Sequence, residues 1–62
     1  GILEPIHVHI ESDDKNAKFW IEPIVLASND GYKSKELTEI KKIIENKKPH
    51  IILMWKKHFN IN

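Results

Sequence analysis

His7, His9 and Glu11 stand two residues apart in HVHIE, and Lys18, Trp20 and Glu22 repeat that spacing in KFWIE. On a strand, residues two apart share one face. Two imidazoles and a carboxylate form the borderline-soft donor set that zinc or another divalent transition metal accepts. A His-x-His pair supplies only two ligands, so such a site draws further donors from Glu11 and from Glu22, His50 or His58. Without a metal, the same residues equip general acid–base catalysis. Imidazole is the side chain whose charge changes nearest neutral pH, and Lys18 can stabilise a developing phosphorane charge, as in a simple ribonuclease. The third use is binding, because an outward indole at Trp20 beside Lys18 is a stacking platform or an apolar patch. No serine or cysteine stands beside a base in an arrangement suited to acyl transfer.

The elements that must position these groups are two strands. Apolar and polar residues alternate through 6–11 and again through 17–22, the period of a half-buried strand. Asp13, Asp14, Lys15 and Asn16 read as a four-residue polar turn between them. That loop sets Glu11 opposite Lys18, Ile10 opposite Phe19, His9 opposite Trp20, Val8 opposite Ile21 and His7 opposite Glu22. Ile6, Val8, Ile10, Ala17, Phe19 and Ile21 then form the core face. His7, His9, Glu11, Lys18, Trp20 and Glu22 form the other.

Pro23 interrupts the second strand, and Ile24 to Ala27 is a short apolar run read as extended, before a turn at Ser28, Asn29, Asp30 and Gly31. A helix is expected to open at Ser34, capped by that hydroxyl, with Glu36 favoured by the dipole in its first turn. Leu37, Ile40, Ile43 and Ile44 fall on one helical face. Pro49 is expected to stop or kink this helix and to open a second one, with Ile51, Ile52, Trp55 and Phe59 inward, to about Asn60. Phe19 and Trp55 are assigned to the core. Lys47, Lys48, Lys56, Lys57 and His58 read as a solvated face.

Length and composition bound the possibilities. Sixty-two residues make at most one domain, and a chain of this size buries only about 60% of the surface its unfolded form exposes. No cysteine is present, so neither disulfide nor thiolate staples it. Residues 1–32 hold two Lys against six acids and residues 33–62 hold eight Lys against three acids, a split of −4 and +5. Such halves attract one another in a fold or present a basic face to nucleic acid. With no Arg in the chain, bidentate recognition of guanine or phosphate is absent. No apolar run reaches the roughly 20 residues of a membrane span and no signal-peptide pattern occurs, so the expectation is a cytoplasmic protein with no membrane partner. Gly1 to Glu4 precede the first strand without an initiating Met, which reads as a processed start or the interior of a longer product.

HVHIE at His7 to Glu11, AKFWIEP at Ala17 to Pro23, ASNDGY at Ala27 to Tyr32, Glu36–Leu37, and Glu45–Asn46 with Trp55 and Phe59 resemble the small bacterial domain-of-unknown-function family 4160. The resemblance covers nearly the whole chain from Pro5 onward. It implies a compact α+β domain with no established activity, often encoded as one half of a toxin–antitoxin-like gene pair. Relatives carry a further N-terminal strand region, so residues 1–62 are read as one small α+β domain lacking that region, with a sheet edge left to pair. Relatives also continue a helix where Pro49 stands.

The expected fold is therefore an antiparallel hairpin or three-stranded meander followed by two helices, ββ(β)αα. The expected function is a small interaction module of a toxin–antitoxin-like pair, a homo-oligomer or the binder of a small protein partner, through His7, His9, Glu11, Lys18 and Trp20. The alternatives are a ribonuclease-like toxin using His7, His9 and Lys18, or a His-based domain holding zinc or a related metal at His7, His9 and Glu11. No cofactor is expected otherwise, and nucleic acid is a secondary candidate partner.

Overall fold

The computed structural model describes residues 4–59. Three strands, β1 (His7–Ser12), β2 (Lys15–Ile21) and β3 (Ile24–Asp30), precede one helix, α1 (Ser34–His58). The strands form an antiparallel meander in the order β1-β2-β3, with β2 in the middle. The α+β architecture with a third strand is as expected from the sequence; the second helix is not, because α1 runs through Pro49 without a break.

The hairpin turn is tighter than the polar tract predicts. Ser12 pairs with Lys15, so only Asp13 and Asp14 form the loop. Asp13 takes a positive φ of 50°, which a short polar side chain tolerates better than most. The pairs become His7 with Trp20, Val8 with Phe19, His9 with Lys18, Ile10 with Ala17 and Glu11 with Asn16. This differs from the expected register by two residues. An even shift keeps each side chain on its face, because the pleat repeats every second residue.

Ala17, Phe19 and Ile21 are buried at 1%, 2% and 0% exposure. Ile6, Val8, Ile10 and Ile24 pack against them from the sheet, as do Leu37, Ile40, Ile51 and Ile52 from the helix around buried Ile44. Leu37, Ile40 and Ile44 are three and four residues apart and Ile51 lies two turns further on, so one stripe of α1 covers one face of the sheet. Continuity through Pro49 follows from this stripe. A mid-helix proline costs about 3 kcal/mol. Burying an isoleucine fully yields about 1.5–3 kcal/mol, so Ile51 and Ile52 together, even half-buried, offset much of that cost by staying on the same sheet as Ile44.

The ASNDGY stretch extends β3 to Asp30 and turns the chain only at Gly31. Asn29 holds that corner twice over, its Nδ2 donating to the Tyr32 carbonyl at 2.9 Å and its Oδ1 accepting from the Tyr32 amide at 3.1 Å. Tyr32 is thereby placed in the core, with its hydroxyl 3.0 Å from Ser12 Oγ. Gly31 takes φ of 101°, and a Cβ there would lie 3.0 Å from Lys15 Cγ. A one-residue irregularity in the β2–β3 pairing falls at Lys18 and Phe19.

Ser34 does not cap the helix. Lys33 is the N-cap residue, and the Glu36 carboxylate reaches back to accept its amide at 2.9 Å. Lys15 Nζ reaches the same carboxylate at 3.2 Å, tying the hairpin to the first turn of α1. The Lys33 amide first, and then Lys15, hold the Glu36 carboxyl below its ordinary value. At the other end Lys56, Lys57 and His58 occupy the last turn, where the helix dipole favours cations.

Lengths explain what stays exposed. A 25-residue helix is about 37 Å long, whereas strands of six or seven residues extend about 20–24 Å. Past Ile52 part of the helix surface therefore lacks sheet beneath it. Leu53, Met54 and Phe59 are 60%, 50% and 41% exposed there.

Candidate functional site

The alternation of β1 and β2 delivers His7, His9, Glu11, Lys18 and Trp20 to the sheet face opposite α1, as the sequence predicts. Trp55 of α1 reaches its His7 end. His9 and Glu11 are exposed and His7, Lys18 and Trp20 half-buried. The His7 and His9 rings lie 5.3 Å apart and nearly perpendicular, and His7 meets Trp20 edge-on at 5.8 Å. Nδ1 of His7 lies 3.0 Å from the Pro5 carbonyl, which can only accept, so that nitrogen carries the proton. Its Nε2 is then the lone-pair nitrogen of the neutral ring.

Lys18 lies flat on this face. Its Nζ sits 4.4 Å from the centre of the Trp20 ring and 3.8 Å from Glu4 Oε1. The indole's partial cover comes from these neighbours, a cation above and an imidazole at its edge. Lys18 as found serves Trp20 rather than the imidazoles. Glu22 is not part of the face: it follows the last residue of β2, and Trp20 rather than Glu22 stands opposite His7.

A second region, which the strand pattern does not reveal, joins β1 to the C-terminal part of the helix. A groove of about 650 Å³ is lined by Glu4, His7 and Val8 on one side and by His50, Met54, Trp55, His58 and others on the other. The His7 and Trp55 rings are 4.9 Å apart, and Trp55 meets Phe59 at 4.7 Å. Trp55 is therefore half-buried in a groove wall rather than a member of the closed core, and Phe59 is exposed at 41%. His50, Met54 and His58 recur every fourth residue along one helical row. That spacing was the available signal, but which element the row would face depended on the path of α1.

Among the described residues no three His, Asp or Glu side chains gather closely enough to hold a metal ion. His7 and His9 offer two imidazoles, and a zinc site needs at least three protein ligands. Four of the five basic side chains proposed as a solvated face, Lys47, Lys56, Lys57 and His58, are exposed, and Lys48 is half-buried.

A three-stranded antiparallel sheet with one helix on one face, an aromatic–imidazole patch on the other and, among the described residues, no neighbour beyond its outer strands β1 and β3 defines a small α+β domain built around an open sheet. Residues 2–56 match the family described as Domain of unknown function (DUF4160), and the chain belongs to that family. No curated protein and no solved structure matches it. Among the described residues no helix is long and apolar enough to cross a membrane.

Proposed function

We propose that this chain is a small interaction module, one component of a toxin–antitoxin-like pair, which binds a protein partner or a second copy of itself through the border of β1 and the face of His7, His9, Glu11, Lys18 and Trp20. The observation that supports this reading is the half-covered sheet. Only Ala17, Phe19, Ile21, Tyr32 and Ile44 are buried hydrophobics among the described residues, while Val25, Leu26, Ile43, Leu53, Met54 and Phe59 are 40–60% exposed. A domain with six large apolar side chains exposed to that degree is suited to completing its core against another chain. Co-expression with the product of the adjacent reading frame tests the pairing. A stoichiometric complex that Trp20→Ala or His9→Ala weakens is the expected result. Two products that migrate separately, beside a chain that is monomeric alone, would sink it.

The ribonuclease-like reading has one observation in its favour, the adjacent His7 and His9 rings with a lone-pair nitrogen at His7 Nε2. RNA cleavage lost in both His7→Ala and His9→Ala, with thermal unfolding unchanged, is what that reading requires. Cleavage retained in both variants, or none in the parent chain, removes it.

A further inference from the structure

The border of β1 has a hydrogen-bonding pattern that the structure fixes. The Ile21 amide donates to the Ile6 carbonyl at 3.0 Å, so Ile6 and Ile21 form a hydrogen-bonded pair in the β1–β2 ladder. Pairs alternate along an antiparallel ladder between bonded and non-bonded. Val8 and Ile10 therefore turn their backbone groups toward β2, opposite Phe19 and Ala17. His7, His9 and Glu11 turn theirs outward, where β1 has no neighbour among the described residues.

Two depressions flank this border under the helix. The 650 Å³ groove is bounded by His7 and Val8, which lie on opposite faces of the strand, so it passes around the strand's outer side. A second depression of about 320 Å³ is bounded by Ile10, Glu11 and Ser12 and by Glu39, Ile40 and Ile43 of α1. Ile43 and Met54, 55% and 50% exposed, overhang the two. Along this border His9 and Glu11 are exposed, and His7 packs against Trp55.

We infer that the strand which adds to this border is β1 of a second copy, paired antiparallel about a two-fold axis through His9. This deepens the proposed interaction function by naming its occupant, and rests on that reading. The sequence of β1 is self-complementary in that register. His7 stands opposite Glu11 of the second copy, an imidazole against a carboxylate, and Val8 stands opposite Ile10, apolar against apolar on the helix side. Each pair shares a face, as opposed residues must. The outward backbone groups of His7, His9 and Glu11 meet those of Glu11, His9 and His7 in the second copy, giving three bonded pairs and six hydrogen bonds. A register displaced by one pair, with His7 opposite His9 or with His9 opposite Glu11, keeps only two of the three. The ends agree as well. Pro5, which has no amide to donate, falls opposite Asp13, where the chain is already turning with positive φ. The result is a six-stranded sheet with both helices on one face, and the Ile43–Met54 flank of each copy facing the seam.

The chain contains no cysteine, so single cysteines read the register directly. In the proposed pairing the two Cα atoms of residue 9 are about 5.5 Å apart, within the roughly 4.4–6.8 Å that a disulfide spans. The two Cα atoms of residue 11, like those of residue 7, lie about 14 Å apart from four residues of strand rise. Under mild oxidation His9→Cys is expected to give a covalent dimer, and His7→Cys and Glu11→Cys are expected to stay monomeric on a denaturing gel. Light scattering of the parent chain should give twice 7.3 kDa at tens of micromolar. Amide exchange should slow at His7, His9 and Glu11 as concentration rises, while Val8 and Ile10 are protected throughout. His9→Pro removes two of the six bonds without touching the β1–β2 ladder, and is expected to return the mass to 7.3 kDa with the fold retained.

A parent chain that stays monomeric to about 1 mM, or a dimer that links at residue 7 or 11 and not at 9, overturns the inference. A monomer that nonetheless forms a complex with the adjacent gene product overturns this self-pairing alone and leaves the interaction function standing.

Discussion

Replacing Pro49 with alanine separates one helix from two. Pro49 has fifteen helical residues before it and nine after it in α1. At that position it has no amide for the Glu45 carbonyl, and its ring crowds that carbonyl. Both residues are exposed, so alanine meets no packing obstacle. The helix gains about 3 kcal/mol from the exchange, less about 0.4–1 kcal/mol because alanine frees the unfolded chain. A net stabilisation of about 2 kcal/mol raises the Tm of a domain this small by about 8–16 °C. Thermal unfolding followed by circular dichroism at 222 nm measures the shift, and the urea midpoint at constant slope checks it. Had Pro49 opened a separate second helix, it would sit in a first turn where its missing amide costs nothing. An unchanged or lower Tm in Pro49→Ala would refute the continuous helix.

Three further outcomes follow from the packing. Phe19 is the largest of the three residues at 2% exposure or less, and Phe19→Ala should lose about 3–5 kcal/mol; against the roughly 3–9 kcal/mol expected for 62 residues, the variant should be largely unfolded in water while Phe19→Leu still unfolds cooperatively in urea. Gly31→Ala should lose about 1–2 kcal/mol, since φ of 101° strains any L side chain, and a neutral result in urea unfolding would contradict that turn geometry. Glu36 has a folded pKa below its ordinary 4.5, so its contribution is present above that value and is lost as pH falls through the lowered one. Glu36→Gln should therefore flatten the acid limb of the stability profile below pH 4.5, and an unaltered limb would mean that the carboxylate does not hold the helix start.

By itself the sequence determined the faces. Alternation is local and repeats every second residue, so His7, His9, Glu11, Lys18 and Trp20 had to share one face and Val8, Ile10, Phe19 and Ile21 the other, even with the turn misjudged by two residues. The apolar stripe through Leu37, Ile40 and Ile44 was legible for the same reason, whereas Ile43, expected on it, lies at its margin and is 55% exposed. Tertiary structure decided what local periods leave open. Whether Pro49 breaks the helix turned on the apolar contacts of Ile51 and Ile52 with a sheet far away in sequence. The meeting of His7 with Trp55, and the groove it lines together with His50 and His58, turned on the direction in which α1 crosses that sheet. Glu22 left the face because β2 ends at Ile21 and the chain turns there toward β3. A pattern in sequence fixes which way a side chain points from its own element; only the packing of one element on another fixes what it meets.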